Sequence, residues 1–257
     1  MPLIKFKPFL AVLAALTLIS AAGGATVYYM HLSVLRSLSS PLSLGESLDM
    51  IEYLEYRIVI GGEEYTVKIY NDPESRSGTA ELYRSGQLLY TVNYSYGENT
   101  LISLEMVKDG EVTTLDPVEY EERFLTSLSL TSGPAGELSA EPFPGIAPLQ
   151  GVFYITRAMG VNWDSFIRGT GPGVPVTINV DFVGVETPLG SSRGIHVSIV
   201  PQNPALAISV WMKGIFSFEL ARIDGLLIAP RMAYDVVLAG GEGGIGFEVT
   251  DIKLSQS

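Results

Sequence analysis

Gly190–Ser191–Ser192–Arg193–Gly194 matches G-x-S-x-G. In a nucleophile elbow this pattern sits between a strand and a helix and presents the serine hydroxyl to a base. Here the following residues, Ile195 to Val200, alternate apolar and polar side chains, so the spacing predicts a glycine-bounded hairpin turn. The chain has two histidines, His31 and His196, and His196 is the one base in the folded part that could serve Ser192. Gly241, Gly243 and Gly246 match G-x-G-x-x-G. A dinucleotide site needs a helix after that loop, with its N-terminus facing the pyrophosphate, but Phe247 to Ser257 read as a strand. Glu119, Glu121 and Glu122 form an acid/base set in principle, and a solvated helix face on the plainer reading. Without cysteine there are neither disulfides nor thiolate metal sites, and no EF-hand loop pattern is present. No catalytic centre, metal site or cofactor emerges. Asn93–Tyr94–Ser95 is an N-glycosylation sequon, which makes Asn93 a candidate modification site if the chain is exported.

Export is what the amino terminus points to. Lys5 and Lys7 precede an uncharged run from Pro8 to Met30, and no acidic residue occurs before Glu46. About 22 helical residues reach roughly 33 Å, enough to cross a bilayer core. The spacing predicts a transmembrane helix over residues 9–30, with the lysines holding the N-terminus inside and the remainder outside. Tyr28 and Tyr29 then fall in the outer interfacial belt. The rival is a cleavable signal peptide, for which Ser20–Ala21–Ala22 offers small residues; the protein would then be secreted. The whole chain carries a formal net charge of −12, and two of its 16 basic residues lie before the span while all 28 acidic ones lie after it. An exported part this acidic repels nucleic acid and anionic headgroups.

The elements that would position any site follow from periodicity. Residues 31–50 read as a tether, with a short amphipathic helix over 46–56. Residues 51–257 then read as one β-rich exported domain. Tyr65, Val67 and Ile69 alternate with polar neighbours, as do Ile102, Leu104 and Met106, which gives each strand one buried and one wet face. Gly61–Gly62, Ser85–Gly86 and Asp109–Gly110 supply hairpin turns, so residues 53–115 are expected to form three antiparallel hairpins. Asp116, Pro117 and Glu119 mark a helix start. Residues 131–174 are rich in Gly, Pro and Ser, with helical content expected inside so long a stretch. From Pro175 the two-residue period returns through Val176–Phe182, Leu206–Met212, Phe216–Leu220, Tyr234–Leu238 and Gly246–Leu254.

Two stretches carry a resemblance. Tyr96–Gly97–Glu98–Asn99–Thr100–Leu101, followed by Val112 to Asp116, reads as strand, turn and strand before a helix. Ile228–Ala229–Pro230–Arg231–Met232, with Gly246 to Lys253, reads as a closing hairpin. In this order the chain resembles the lipoprotein-carrier (lipoprotein localisation factor) superfamily. That resemblance implies a mainly β (α+β) fold: a curved antiparallel sheet or half-barrel with covering helices, to which the apolar run of this chain adds one preceding N-terminal transmembrane helix. It implies a hydrophobic cavity for acyl chains and no catalytic residues. The chain departs from it in its retained helix, which suits a tethered binder better than a free shuttle.

The leading expectation is therefore a single-pass cell-membrane protein whose outer domain binds a lipid or other apolar ligand. Phe143, Phe153, Tyr154, Trp163 and Phe166 are the candidate lining, because they gather in the segment placed to cover a curled sheet. The alternative is a cell-envelope interaction or structural protein with a packed core and no ligand.

Overall fold

The computed structural model describes residues 26–38, 42–60, 62–117, 176–202, 214–236 and 244–255. Residues 26–38 are helical (α1), and a second helix follows at Leu44–Asp49 (α2). Among the described residues twelve strands come next: β1 Ile51–Ile60, β2 Glu63–Asp72, β3 Ser77–Arg84, β4 Gln87–Tyr96, β5 Leu101–Lys108, β6 Glu111–Leu115, β7 Val176–Thr187, β8 Gly190–Pro201, β9 Gly214–Ile223, β10 Leu226–Ile228, β11 Arg231–Val236 and β12 Gly244–Leu254. The protein is mainly β, built on a single open antiparallel sheet in the order β6-β5-β4-β3-β2-β1-β12-β11-β9-β8-β7, with β10 paired to β9.

The first and last strands meet in the middle. β1 pairs with β2 on one side and β12 on the other, from Ile51↔Leu254 to Ile60↔Ile245. A six-strand meander and the returning C-terminal strands thus become one sheet. The hairpins expected over 53–115 are present as β1–β2, β3–β4 and β5–β6. Their turns use the backbone freedom the sequence supplied: Ser85–Gly86 and Asp109–Gly110 both adopt positive φ at both positions, as a two-residue hairpin turn requires.

Alternation sorts the sheet into two faces. The inner one carries Leu54, Tyr56 and Ile58 of β1, Val67 and Ile69 of β2, and Val92 and Tyr94 of β4. From the C-terminal strands it receives Val197, Ile199, Phe216, Phe218 and Leu220, all within one buried cluster. The outer face carries the charged and polar side chains, with exposed Val59 and Tyr70 among them.

The amino-terminal segment differs from expectation. Within the stretch expected to be a tether, Val34, Leu38, Leu44 and Leu48 lie in the core cluster. The helix expected over 46–56 starts two residues earlier and stops at Asp49. Ser43 caps it, its hydroxyl accepting from the Glu46 N–H at 3.1 Å while Glu46 accepts from the Ser43 N–H at 2.7 Å. From Ile51 the burial alternates, with Leu54 and Tyr56 inside and Glu55 and Arg57 on the other side, so period two wins over helical spacing.

Among the described residues no helix is long and apolar enough to cross a membrane. Most of the expected span, residues 9–25, lies outside the described residues, as do most of the helix expected from Asp116, the stretch 131–174 and the strand expected at Leu206–Met212.

Candidate functional site

An open cleft of about 400 Å³ lies on the outer face, across β1, β12, β11, β9 and β8. Register explains it. Ser217, Ala233, Gly246 and Val59 stand opposite one another on four adjacent strands. Three of them have small side chains or none, so the surface dips there. At Gly246 a Cβ would meet nothing within 4 Å, so this part of the floor is open.

One row along, the same strands raise a charged wall. Glu248 of β12 stands opposite Arg57 of β1 and Arg231 of β11. Its carboxylate accepts from both guanidiniums, Arg57 Nη2 and Arg231 Nε, each at 3.0 Å. Arg231 also reaches Glu219 at 3.5 Å, and Arg57 reaches Glu64 at 3.7 Å. The hydrogen bond from Arg231, with that from Arg57, holds the Glu248 carboxyl below the usual carboxylate range, and the bond to Glu248 raises Arg231. His196 ends the row, opposite Glu219 on β9 and Asp181 on β7.

This wall can recognise a surface of mixed charge. Ser192 is a strand residue of β8, and its hydroxyl donates to the Arg222 carbonyl at 3.0 Å. It lies four residues from His196 on a strand, about 13 Å at the usual rise. The elbow is absent, and the expected hairpin turn falls just before Gly190. After Gly246 the chain continues as strand β12, so the glycine pattern has no helix to offer a pyrophosphate. His31 stacks flat on Phe182 at 3.8 Å. Among the described residues no group of three His, Asp or Glu is arranged to hold a metal ion.

Asn93 sits exposed near the middle of β4 and accepts from the Thr79 hydroxyl at 3.0 Å. Phe143, Phe153, Tyr154, Trp163 and Phe166 lie outside the described residues, as do Glu119, Glu121 and Glu122. Arg57, Glu219, Arg231 and Glu248 were missed by sequence reasoning. Only the pairing of β1 with β12, and of β11 with β9 and β12, puts them in one row.

A second polar cluster is buried at the other end of β1. Asn71 of β2, 8% exposed, donates to the Leu48 and Ile51 carbonyls at 2.8 and 3.0 Å and to the Tyr96 hydroxyl at 3.2 Å. It accepts from the Tyr94 hydroxyl at 3.1 Å. Tyr96 donates in turn to Asp49 at 3.0 Å, and Asp49 pairs with Arg76 at 2.6 Å. Burial pushes the Tyr94 phenol far up; burial and the bond to Asp49 outweigh that to Asn71 and hold Tyr96 at about 12. This network fastens α2 to β2 and β4.

No protein-family model and no curated protein sequence matches the chain. Solved structures give a weak likeness of fold. An uncharacterized conserved protein from Thermus thermophilus is 8% identical, over 88% of this chain and 87% of that one, with a TM-score of 0.38. MucB is 12% identical over 83% of this chain, with a TM-score of 0.39; the aligned part spans 57% of MucB. The MucA/MucB complex of Pseudomonas aeruginosa aligns at a TM-score of 0.17 and 8% identity.

Proposed function

We propose that this chain is a membrane-tethered, exported interaction domain that binds a polar partner of mixed charge across its outer face. The carrying observation is the contrast between the two faces. On the inner face Leu54, Val67, Leu82, Val92, Val197, Ile199 and Leu220 are all 0% exposed. Side chains so fully covered support a filled core along these strands. The outer face keeps an open, charged cleft. The tether is the apolar run from Pro8 to Met30 behind Lys5 and Lys7.

Native mass spectrometry of the full chain released from detergent tests the packed-core part. The expected result is the bare chain mass. A lipid bound one to one would overturn it and favour the apolar-ligand reading, built on Phe143, Phe153, Tyr154, Trp163 and Phe166. Protease accessibility of a C-terminal tag on intact cells tests the orientation, and protection of that tag overturns it.

A further inference from the structure

Among the described residues the sheet has two unlike edges. β6 is five residues long and follows a charged turn, Lys108–Asp109–Gly110–Glu111. β7 is twelve residues long and pairs with β8 from Val176↔Pro201 to Thr187↔Gly190 without a register shift. Charged side chains, lysine above all, proline and bulges are the usual protection against edge-to-edge pairing; β7 has no Lys, Arg, Pro or bulge along it, and its charges are Asp181 and Glu186 alone. Thr177, Asn179 and Asp181 are exposed, and Val180 is 37% exposed.

We propose that β7 is a self-association edge, where two copies of this chain pair β7 to β7, antiparallel, about a two-fold axis at Val180. The hairpin sets the phase. Its two-residue turn, Pro188–Leu189, closes on the Thr187–Gly190 pair, which must then exchange both hydrogen bonds. Odd-numbered residues of β7 therefore bond to β8, and Val176, Ile178, Val180, Phe182, Gly184 and Glu186 turn their N–H and C=O groups outward. With Val180 opposite its own copy, Ile178 meets the second copy's Phe182 on the inner face. Asn179 meets the second copy's Asp181 on the outer face, an acceptor against an amide donor. Moving the axis by one residue sets Asp181 against itself, a like-charge pair that disfavours that register. The strand thus carries its own register selection, as an isologous interface requires. The stacking of His31 on Phe182 holds the edge in place beforehand, which lowers the cost of ordering it on association. The inference does not depend on the outer cleft or on the tether.

The chain contains no cysteine, so single-cysteine variants report on one contact each. In the full chain in detergent, Val180→Cys is expected to form a disulfide-linked dimer under mild oxidation, with twice the 27.7 kDa chain mass. Val112→Cys on β6, at a side chain 64% exposed, is expected to stay monomeric. Val180→Lys, which sets like charges on the axis, is expected to shift the uncrosslinked dimer to monomer with an unchanged circular dichroism spectrum. Crosslinking of Val180→Cys no faster than Val112→Cys would overturn the proposal. So would a monomer whose outward β7 amides resist hydrogen exchange, because another segment or partner then covers the edge.

Discussion

Gly78 and Gly246 stand on opposite faces of one sheet, and their surroundings teach how the faces differ. A Cβ on Gly78 would run into the Tyr94 phenol and come within 2.7 Å of the Tyr70 carbonyl, whereas one on Gly246 would meet nothing within 4 Å. The first glycine is there because the buried network leaves no room; the second leaves room that nothing in the described fold uses. The same division holds for the polar groups. Asn71, Tyr94 and Tyr96 are removed from water, so each hydrogen bond among them is costly to leave unmade. Arg57, Glu248 and Arg231 remain wet, and exposed ion pairs contribute little to stability. The inner cluster therefore maintains the fold, and the outer one is free to serve recognition.

The sharpest way to break this comparison is Asn71→Ala. It strips partners from the Leu48 and Ile51 carbonyls and from the Tyr94 hydroxyl at once. The expected loss is about 3 kcal/mol, read as a drop in denaturant midpoint. Gly78→Ala should cost about 2 kcal/mol or more, because Tyr94 must leave its place to admit the methyl group. If either variant unfolds at the parent midpoint, the buried network is not what holds α2 to the sheet.

Alkali tests the same network without mutation. The Tyr96 phenol is pushed up to about 12 and Tyr94 further, against an ordinary value of about 10. A folded-state value above the unfolded one stabilises fully below the unfolded value, so this contribution should disappear as the pH rises from about 10 toward 12. Phenolate absorbance should show Tyr94 and Tyr96, with the likewise raised Tyr53, Tyr83 and Tyr234, ionising late and together with unfolding. Early titration of all 13 tyrosines would contradict the network.

Acid acts on the outer row, with the opposite sign. Because Glu248 is held below the usual carboxylate range by Arg231 and Arg57, its contribution is present above about pH 4.3 and is lost as the pH falls through the lower folded value. Glu248→Gln should remove that acid-dependent part while lowering stability at neutral pH by under about 1 kcal/mol. The loss should shrink further at high salt. A larger, salt-insensitive loss would mean that the outer row belongs to the fold as much as Asn71 does.

Much of this contrast was legible locally and little of it globally. The turns at Ser85–Gly86 and Asp109–Gly110, the alternation of Tyr65–Ile69 and the strand character of Ile195–Val200 are short-range signals, and the structure holds all of them. The strand after Asp49 was harder to read, since Leu48, Ile51 and Leu54 fit a helical stripe as well as they fit a capped turn followed by period two. The outer cleft could not be read at all. Ser217, Ala233 and Gly246 are unremarked small residues in their own strands, and only the pairing of β9, β11 and β12 sets them side by side. The Asn71 network is likewise non-local, joining α2 and β2 to β4.

The smallest expected effect is also the one with reversed sign. Gly246→Ala places a methyl group in open space on a strand, at a position whose φ lies outside the left-handed region. Glycine in a strand interior loses more chain entropy on folding than alanine does, so the substitution should raise stability by about 0.5–1 kcal/mol. The methyl group also begins to fill the cleft floor between Ala233 and Val59. If the cleft is a recognition surface, Gly246→Ala gains stability and weakens partner binding in the same protein. Tightly packed residues such as Gly78 cannot show that pairing of effects, because there the added atom costs the fold first. A loss of stability on Gly246→Ala, measured by denaturant midpoint, would mean that the floor is closed in solution and that the outer face has no open cleft to offer.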